Sequence, residues 1–122
     1  MKNTSLQLLP TTTQGTPSGN YDGSSTDFFG DKQKAASYYL QGNELQTVAL
    51  FATGFVGTVT VQASLATDPT DADWFDIYTF PSDGSSEYTD NFAVNLTGNY
   101  VWIRASVADF TDGTINKATL AY

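Results

Sequence analysis

The chain has 122 residues, which suffices for one hydrophobic core and therefore for one domain. Thirteen acidic and five basic residues give a net charge of -8, a sign that disfavours direct binding to nucleic acid or to anionic lipid. Cysteine and histidine are both absent, so disulfides, zinc–cysteine sites and histidine-based catalysis are excluded. The 14% aromatic content, with abundant Thr, Ser and Gly, is typical of β proteins.

The first 26 residues are predicted to form an arm ahead of the folded body. Its apolar patch contains Leu6 and Leu8, which we expect to dock as a short edge strand on the same molecule or on a neighbouring subunit. The patch is too short for a signal peptide, so synthesis in the cytoplasm without processing is expected. Residues 11–26 consist mainly of small polar residues, which predicts a flexible segment that buries almost no surface. We therefore divide the chain into an arm, 1–26, and a β-sandwich domain, 27–122.

The body alternates apolar runs with turn residues at regular spacing. The continuous apolar run 48–52 predicts a strand that is buried on both faces. Residues 58–65 alternate strictly, which predicts a separate strand whose inward residues include Val59, Val61 and Leu65. Strands are also predicted over residues 74–80 and over residues 87–96.

The last third of the chain, residues 91–122, shows the clearest pattern. Apolar residues recur at every second position, and turn residues interrupt them at 97–99 and at 109–113. This arrangement predicts a three-strand antiparallel meander. No segment has a convincing helical period, so the predicted fold is all-β. We expect a single antiparallel β-sandwich, jelly-roll-like or immunoglobulin-like, with seven or eight strands and a flexible N-terminal arm.

An acidic loop offers a candidate metal site. Asp68, Asp71 and Asp73 could bind calcium, which prefers oxygen ligands, but the spacing is not that of an EF-hand. A solvated turn between two strands is the interpretation that we favour, so no cofactor is expected. No pair of carboxylates is singled out for glycoside hydrolysis. We therefore expect no enzymatic activity.

A candidate partner-binding row lies on one predicted strand. Tyr100, Trp102 and Arg104 occupy alternate positions, so they share the face opposite Val101 and Ile103. An exposed row of this kind would suit a protein or a sugar, because aromatic residues and Arg concentrate at binding hot spots. In the alternative, which we favour, the row packs within the structure and Arg104 forms an ion pair with a nearby Asp.

Four segments together resemble small structural proteins of tailed phages, most of all those of T4-like phages of marine cyanobacteria. They read GFVGTVTVQASL at 54–65, DWF at 73–75, GNYVWIRA at 98–105 and GTINK at 113–117. The resemblance extends over residues 20–122. It implies a virion component with a β-sandwich fold, and it implies no catalytic residue.

The expected function is therefore that of a phage virion structural protein. Capsid decoration, by binding to the assembled particle, is our first choice of role, and a tail or baseplate accessory is the next. The expected partners are other virion proteins, either the major capsid protein or tail proteins, in many copies, with no nucleic acid and no membrane. The protein would be made in the host cytoplasm and located in the virion. A carbohydrate-binding receptor module is the alternative class, and it would need Tyr100 and Trp102 in an exposed row.

Overall fold

A computed structural model describes residues 5–38, 45–80 and 86–122 of the chain. These ranges contain eight strands and one short 3-10 helix, and they contain no α-helix. The all-β class and the predicted number of strands are thus confirmed. The strands are β1 (Ser5–Leu9), β2 (Thr12–Thr13), β3 (Phe28–Phe29), β4 (Gln33–Lys34), β5 (Leu45–Ser64), β6 (Phe75–Thr79), β7 (Tyr88–Thr97) and β8 (Trp102–Ala121). In the described ranges, no helix has the length and apolar character needed to cross a membrane.

Two strands of 20 residues, β5 and β8, form the centre of the sheet. They pair antiparallel from Thr47 opposite Ala121 to Ser64 opposite Trp102. The short strands β1, β2, β3 and β4 pair with the other side of β8, while β7 and β6 pair with the other side of β5. Every pairing is antiparallel, as the sequence predicted.

The β5–β8 ribbon bends halfway along its length. The register shifts twice between Thr53 and Thr58. Nearby, Gly54, Asp109 and Gly113 have positive φ angles of 59°, 55° and 83°. Glycine adopts this backbone region without steric cost, and Asp tolerates it better than most residues. Because bulges bend a strand and increase its twist, the ribbon turns back over itself and divides the sheet into two layers.

The two layers face each other across one core. The first layer contains β1, β2 and β7, and the second contains β3, β4 and β6, each with the adjoining halves of β5 and β8. On one side Tyr78 of β6 stacks with Phe92 of β7, with ring centroids 6.5 Å apart. On the other side Gln33 Nε2 of β4 donates to Gln7 O of β1 at 3.0 Å. The edges of the two layers therefore meet on both sides of the core.

Alternating side chains of β5 and β8 fill the core. The bend is occupied by four aromatic rings, Tyr21, Phe28, Phe55 and Phe110, whose contacting pairs have centroids 5.0 to 6.1 Å apart. Aromatic pairs in tilted arrangements contribute beyond their buried area. Apart from alanines, the aliphatic residues buried on the two long strands are Val48, Leu50, Val59, Val61, Ile103, Val107, Ile115 and Leu120.

The predicted three-strand meander is wrong. Residues 109–113 are a bulge inside β8 and not a turn, because Asp109 and Gly113 absorb the bend without reversing the chain. β7 pairs with β5, and β7 does not pair with β8 in the part of the chain that the structure describes. In the same way, residues 45–53 and 58–64 belong to one bulged strand, β5, and not to two.

Two predictions about β5 also fail. Leu65 is 62% exposed, because the strand ends at Ser64 and the alternation ends with it. The run 48–52 is fully buried on one face only, since Ala49 and Phe51 are half-buried on the other. The prediction of burial on both faces, made from the continuous apolar run, was therefore too strong for this strand.

The N-terminal arm lies on the sheet of its own chain. β1 pairs with the end of β8, which confirms the predicted short edge strand. The expectation that residues 11–26 bury almost no surface is wrong, because Thr12 is 0% exposed and Tyr21 is 2% exposed. The Tyr21 ring contacts Phe110 and so anchors an otherwise polar segment in the core. The domain division at residue 26 stays a prediction.

Gly113→Ala tests the close approach of the two strands at the bend. A Cβ at this position would overlap the carbonyl group of Gly54, in a backbone conformation that already disfavours side chains. We expect the free energy of unfolding to fall by more than about 3 kcal/mol. Gly54→Ala is the matched control, since it has a positive φ but open space around its Cβ, and it should cost about 1–2 kcal/mol. Equal losses in urea denaturation would contradict the described contact.

Tyr88→Phe tests a buried hydroxyl on β7. The Tyr88 hydroxyl has no hydrogen-bond partner among the described residues, and burial, then Asp90 and Tyr78, raise its pKa above the ordinary value of 10.0. Removing an unpaired buried hydroxyl should leave the free energy of unfolding unchanged or raise it by up to about 1 kcal/mol. Tyr122→Phe is the control, because Tyr122 Oη donates to Lys34 O at 2.9 Å, and its removal should be destabilising.

The same variant predicts a difference in alkaline stability. A folded-state pKa above the unfolded value means that the neutral hydroxyl is preferred in the folded protein. Stability from this group is complete below pH 10 and is lost as the pH rises through the folded-state pKa. Urea denaturation at pH 8 and pH 11 should therefore show a larger loss for the wild type than for Tyr88→Phe. Equal losses would contradict the assignment.

Candidate protein-binding face

Trp102 and Arg104 lie on the outer face of the second layer. Both are half-buried, and they alternate with Ile103 and Ala105, which are buried in the core. Their shared face is as predicted. Tyr100 precedes β8 and lies apart from them, where it packs against the core and its ring stands 6.1 Å from that of Phe75. The predicted row of three is therefore a pair plus a separate ring, because β8 begins only at Trp102.

The Arg104 guanidinium lies between two aromatic rings. Its Cζ is 3.9 Å from the ring centroid of Phe29 and 4.3 Å from that of Trp74. Phe29 belongs to β3, which flanks β8 on one side, and Trp74 precedes β6, which lies beyond β5 on the other. A cation over an aromatic face contributes about 0.5–2 kcal/mol, depending on how far it is desolvated.

A chain of hydrogen bonds across three strands orients the same guanidinium. Arg104 Nε donates to Gln62 Oε1 at 2.8 Å, and Gln62 Nε2 donates to Asp76 Oδ1 at 2.9 Å. Gln62 is directly opposite Arg104 in the β5–β8 register and opposite Asp76 in the β5–β6 register. The Asp76 carboxylate therefore fixes the amide of Gln62, which in turn fixes the arginine.

The expected ion pair of Arg104 with an Asp is not present among the described residues. Gln62 takes the position nearest to Arg104, and Asp76 is bonded to Gln62. Partial burial lowers the pKa of Arg104 below its ordinary value, while the nearby Asp71 raises it by a smaller amount. The side chain keeps its charge at neutral pH, because a guanidinium stays protonated throughout the ordinary pH range.

Trp102 is held at the same face by three contacts. Its Nε1 donates to Thr67 O at 3.0 Å, the Tyr38 ring meets it edge-on at 5.2 Å, and Lys32 Nζ stands 4.9 Å from the ring centroid. Trp102 and Arg104 thus belong to one surface. We call it the aromatic–cation face and define it as Phe29, Lys32, Trp74, Trp102 and Arg104.

The acidic loop is a structured turn in the described residues. Asp71 and Asp73 lie in the 3-10 helix η1 (Asp71–Asp73), where Asp73 Oδ2 accepts hydrogen bonds from Thr70 N and Oγ1 at 2.7 and 3.0 Å. These bonds direct the Asp73 carboxylate onto its own turn. Asp68, Asp71 and Asp73 do not come together as a group that could hold a metal ion, and no other such group occurs in the described ranges.

The two leucines proposed for partner binding belong to the protein's own packing. Leu8 is 1% exposed and fills the core, so its side chain is not available to a partner. Leu6 is half-buried and packs against the core from β1. The pairing of β1 with β8 of the same chain accounts for both positions.

Sequence reasoning missed Phe29, Lys32 and Trp74. One signal was available, because consecutive residues of a strand face opposite sides and Phe28 is followed directly by Phe29. One of the two rings had to face outward, and Phe29 is 46% exposed while Phe28 is buried. No comparable signal placed Trp74 beside Arg104, since that contact depends on the strand order.

Comparisons of the chain with protein families, with curated proteins and with solved structures found no match. The aromatic–cation face is therefore interpreted from its own chemistry. It combines aromatic rings with a guanidinium, the residue types that are enriched at protein–protein interfaces, and it also carries the ammonium group of Lys32.

Arg104→Ala tests the stabilising role of the stacked guanidinium. The variant removes both ring contacts and leaves Gln62 Oε1 without its donor, so we expect a loss of about 1–2 kcal/mol in the free energy of unfolding. Lys117→Ala is the matched control, because Lys117 is exposed and stacks on one ring only, that of Phe51. Its loss should stay below about 1 kcal/mol in urea denaturation followed by circular dichroism. An Arg104→Ala loss no larger than the control would contradict a clamped arginine.

Proposed function

We propose that the chain is a structural protein of a tailed-phage virion and that it decorates the capsid by binding the assembled particle. One observation carries the proposal: the segments that resemble phage structural proteins also supply most of the aromatic–cation face. Trp74 lies in the segment 73–75, and Trp102 and Arg104 lie in the segment 98–105. The segment 54–65 supplies Gln62, which orients Arg104.

The chemistry of the face supports a protein partner. Trp and Arg are enriched at the residues that dominate binding energy, and here both are already held in place before a partner arrives. A side chain that is fixed in advance loses little conformational entropy on binding. The net charge of -8 supports the same role, because it keeps free copies apart until a specific contact forms.

The proposed partner is the major capsid protein, contacted by many copies of the chain. The protein would be made in the host cytoplasm and added to the particle. A tail or baseplate accessory is the second role in the same class. It would use the same face, so the two roles differ in the partner and not in the chemistry.

A carbohydrate-binding module is supported by one observation, the half-exposed Trp74 and Trp102 rings. A sugar that stacks on a ring requires a free ring face. Arg104 covers one face of Trp74, and Lys32 lies over Trp102. This arrangement favours a protein partner over a sugar.

The proposal is tested by mixing the purified protein with capsids of a T4-like cyanobacterial phage that lack it, and separately with isolated tails. We expect saturable co-sedimentation with capsids at a fixed number of copies per particle. The double variant Phe29→Ala, Trp74→Ala should weaken capsid binding by at least about tenfold, since both rings belong to the face.

Phe51→Ala is the matched control for capsid binding. Phe51 is a half-buried ring of the first layer that also stacks with a cation, Lys117, so it shows the effect of losing a cation-stacked ring outside the face. It should bind capsids as the wild type does. Binding to tails alone would select the second role, and binding to neither would overturn the proposal.

A further inference from the structure

The Arg104 guanidinium is held by two aromatic rings and one hydrogen bond, but its hydrogen-bonding capacity is only partly used. Phe29 and Trp74 cover its two faces, and its Nε is bonded to Gln62. Its two terminal amino groups have no hydrogen-bond partner among the described residues. A planar guanidinium that is fixed in this way presents its terminal N–H groups in one orientation.

The fixed orientation matters because arginine recognises carboxylates with two parallel hydrogen bonds. These bonds require the fork of N–H groups to lie in the plane of the carboxylate. The rings of Phe29 and Trp74 confine the guanidinium between them, and the Gln62 bond limits its rotation. Arg104 is therefore preorganised for a two-point contact.

The charge of Arg104 is also incompletely compensated. Burial removes part of its hydration. Among the described residues, Asp71 acts on it through charge alone, without a hydrogen bond, and the Asp76 carboxylate is bonded to Gln62 and not to the arginine. A partly desolvated charge without a hydrogen-bonded counter-ion is unfavourable, and an incoming anion relieves that cost. The site is thus poised to gain from binding a carboxylate.

We infer that Arg104 is a carboxylate-binding anchor, and that its ligand is an Asp or Glu side chain of the protein on which this chain docks. The inference rests on the proposed function and specifies the chemistry of the contact between this chain and its protein partner. The flanking rings of Phe29 and Trp74 contact the methylene groups of such a side chain while the guanidinium binds its carboxylate.

The charges around the site favour a single carboxylate over a polyanion. Asp71 is close enough to affect Arg104, and Asp76 lies two hydrogen bonds away. Together with the net charge of -8, these groups repel a ligand that carries several negative charges, such as a nucleic acid or a phosphorylated segment. A single planar carboxylate has the charge and the shape that the unpaired terminal amino groups of Arg104 can bind.

The test is an NMR titration of the full chain, followed through the Nε–H resonance of Arg104. The probe is N-acetyl-glutamate N-methylamide, and the matched neutral probe is N-acetyl-glutamine N-methylamide. We expect a saturable shift with the glutamate compound and none with the glutamine compound. For variants, binding is followed through the indole N–H of Trp74. Arg104→Lys, which keeps the charge but loses the planar fork, should bind the glutamate compound at least about fivefold more weakly.

A second variant guards against loss of folding. Phe29→Ala keeps Arg104 and removes one covering ring from an exposed position, so the protein should stay folded and the glutamate compound should bind about threefold more weakly. Equal shifts with both probes, or Arg104→Lys binding as well as the wild type, would overturn the inference. Tighter binding of methyl glucuronide than of the glutamate compound would also overturn it, because the ligand would then be a sugar acid.

Failure of this inference can be told apart from failure of the proposed function. If the wild type binds capsids but no glutamate-specific shift appears, the carboxylate anchor is wrong and the virion role stands. If the shift appears but neither capsids nor tails are bound, the anchor stands as a site on this chain and the assignment of its ligand to a virion partner is wrong.

Discussion

The pairing of β5 with β8 is the interaction on which the rest of the structure depends. These two strands supply most of the buried aliphatic side chains, and all six other strands pair with one or the other. The ribbon yields two layers only because it bends in the middle, where Gly54 and Gly113 allow positive φ and a close backbone approach. Four aromatic rings fill the space inside that bend. A side chain at Gly113 would therefore disturb the backbone geometry that brings the layers together.

The bent ribbon also assembles the aromatic–cation face. Phe29 arrives on β3 along one side of β8, and Trp74 arrives ahead of β6 beyond β5, so two distant parts of the chain meet above Arg104. Gln62 and Asp76 continue the register across the sheet and orient the guanidinium. Three of its groups are held by the sheet, because Phe29, Trp102 and Arg104 lie on paired strands, and Trp102 and Arg104 also donate hydrogen bonds.

The scarcity of basic residues gives the face its significance. The described part of the chain contains four basic residues, and each stands over an aromatic ring: Lys32, Lys34, Arg104 and Lys117. In a chain of net charge -8, these positive groups are the points where a negative group of a partner is attracted and not repelled. Arg104 differs from the three lysines because it is covered on both faces and oriented by a hydrogen bond. That difference is why the carboxylate contact is assigned to it.

The sequence by itself determined the all-β class, the edge strand at Leu6 and the shared face of Trp102 and Arg104. These follow from alternation, which is a local property of the chain. Local patterns could not determine whether residues 109–113 turn or bulge, because the same Asp and Gly residues suit both. They also could not place Tyr21 in the core or Trp74 beside Arg104, since those contacts join segments that are far apart in the chain. Only the tertiary structure decided them, because a long-range contact depends on which strands pair and where the sheet bends.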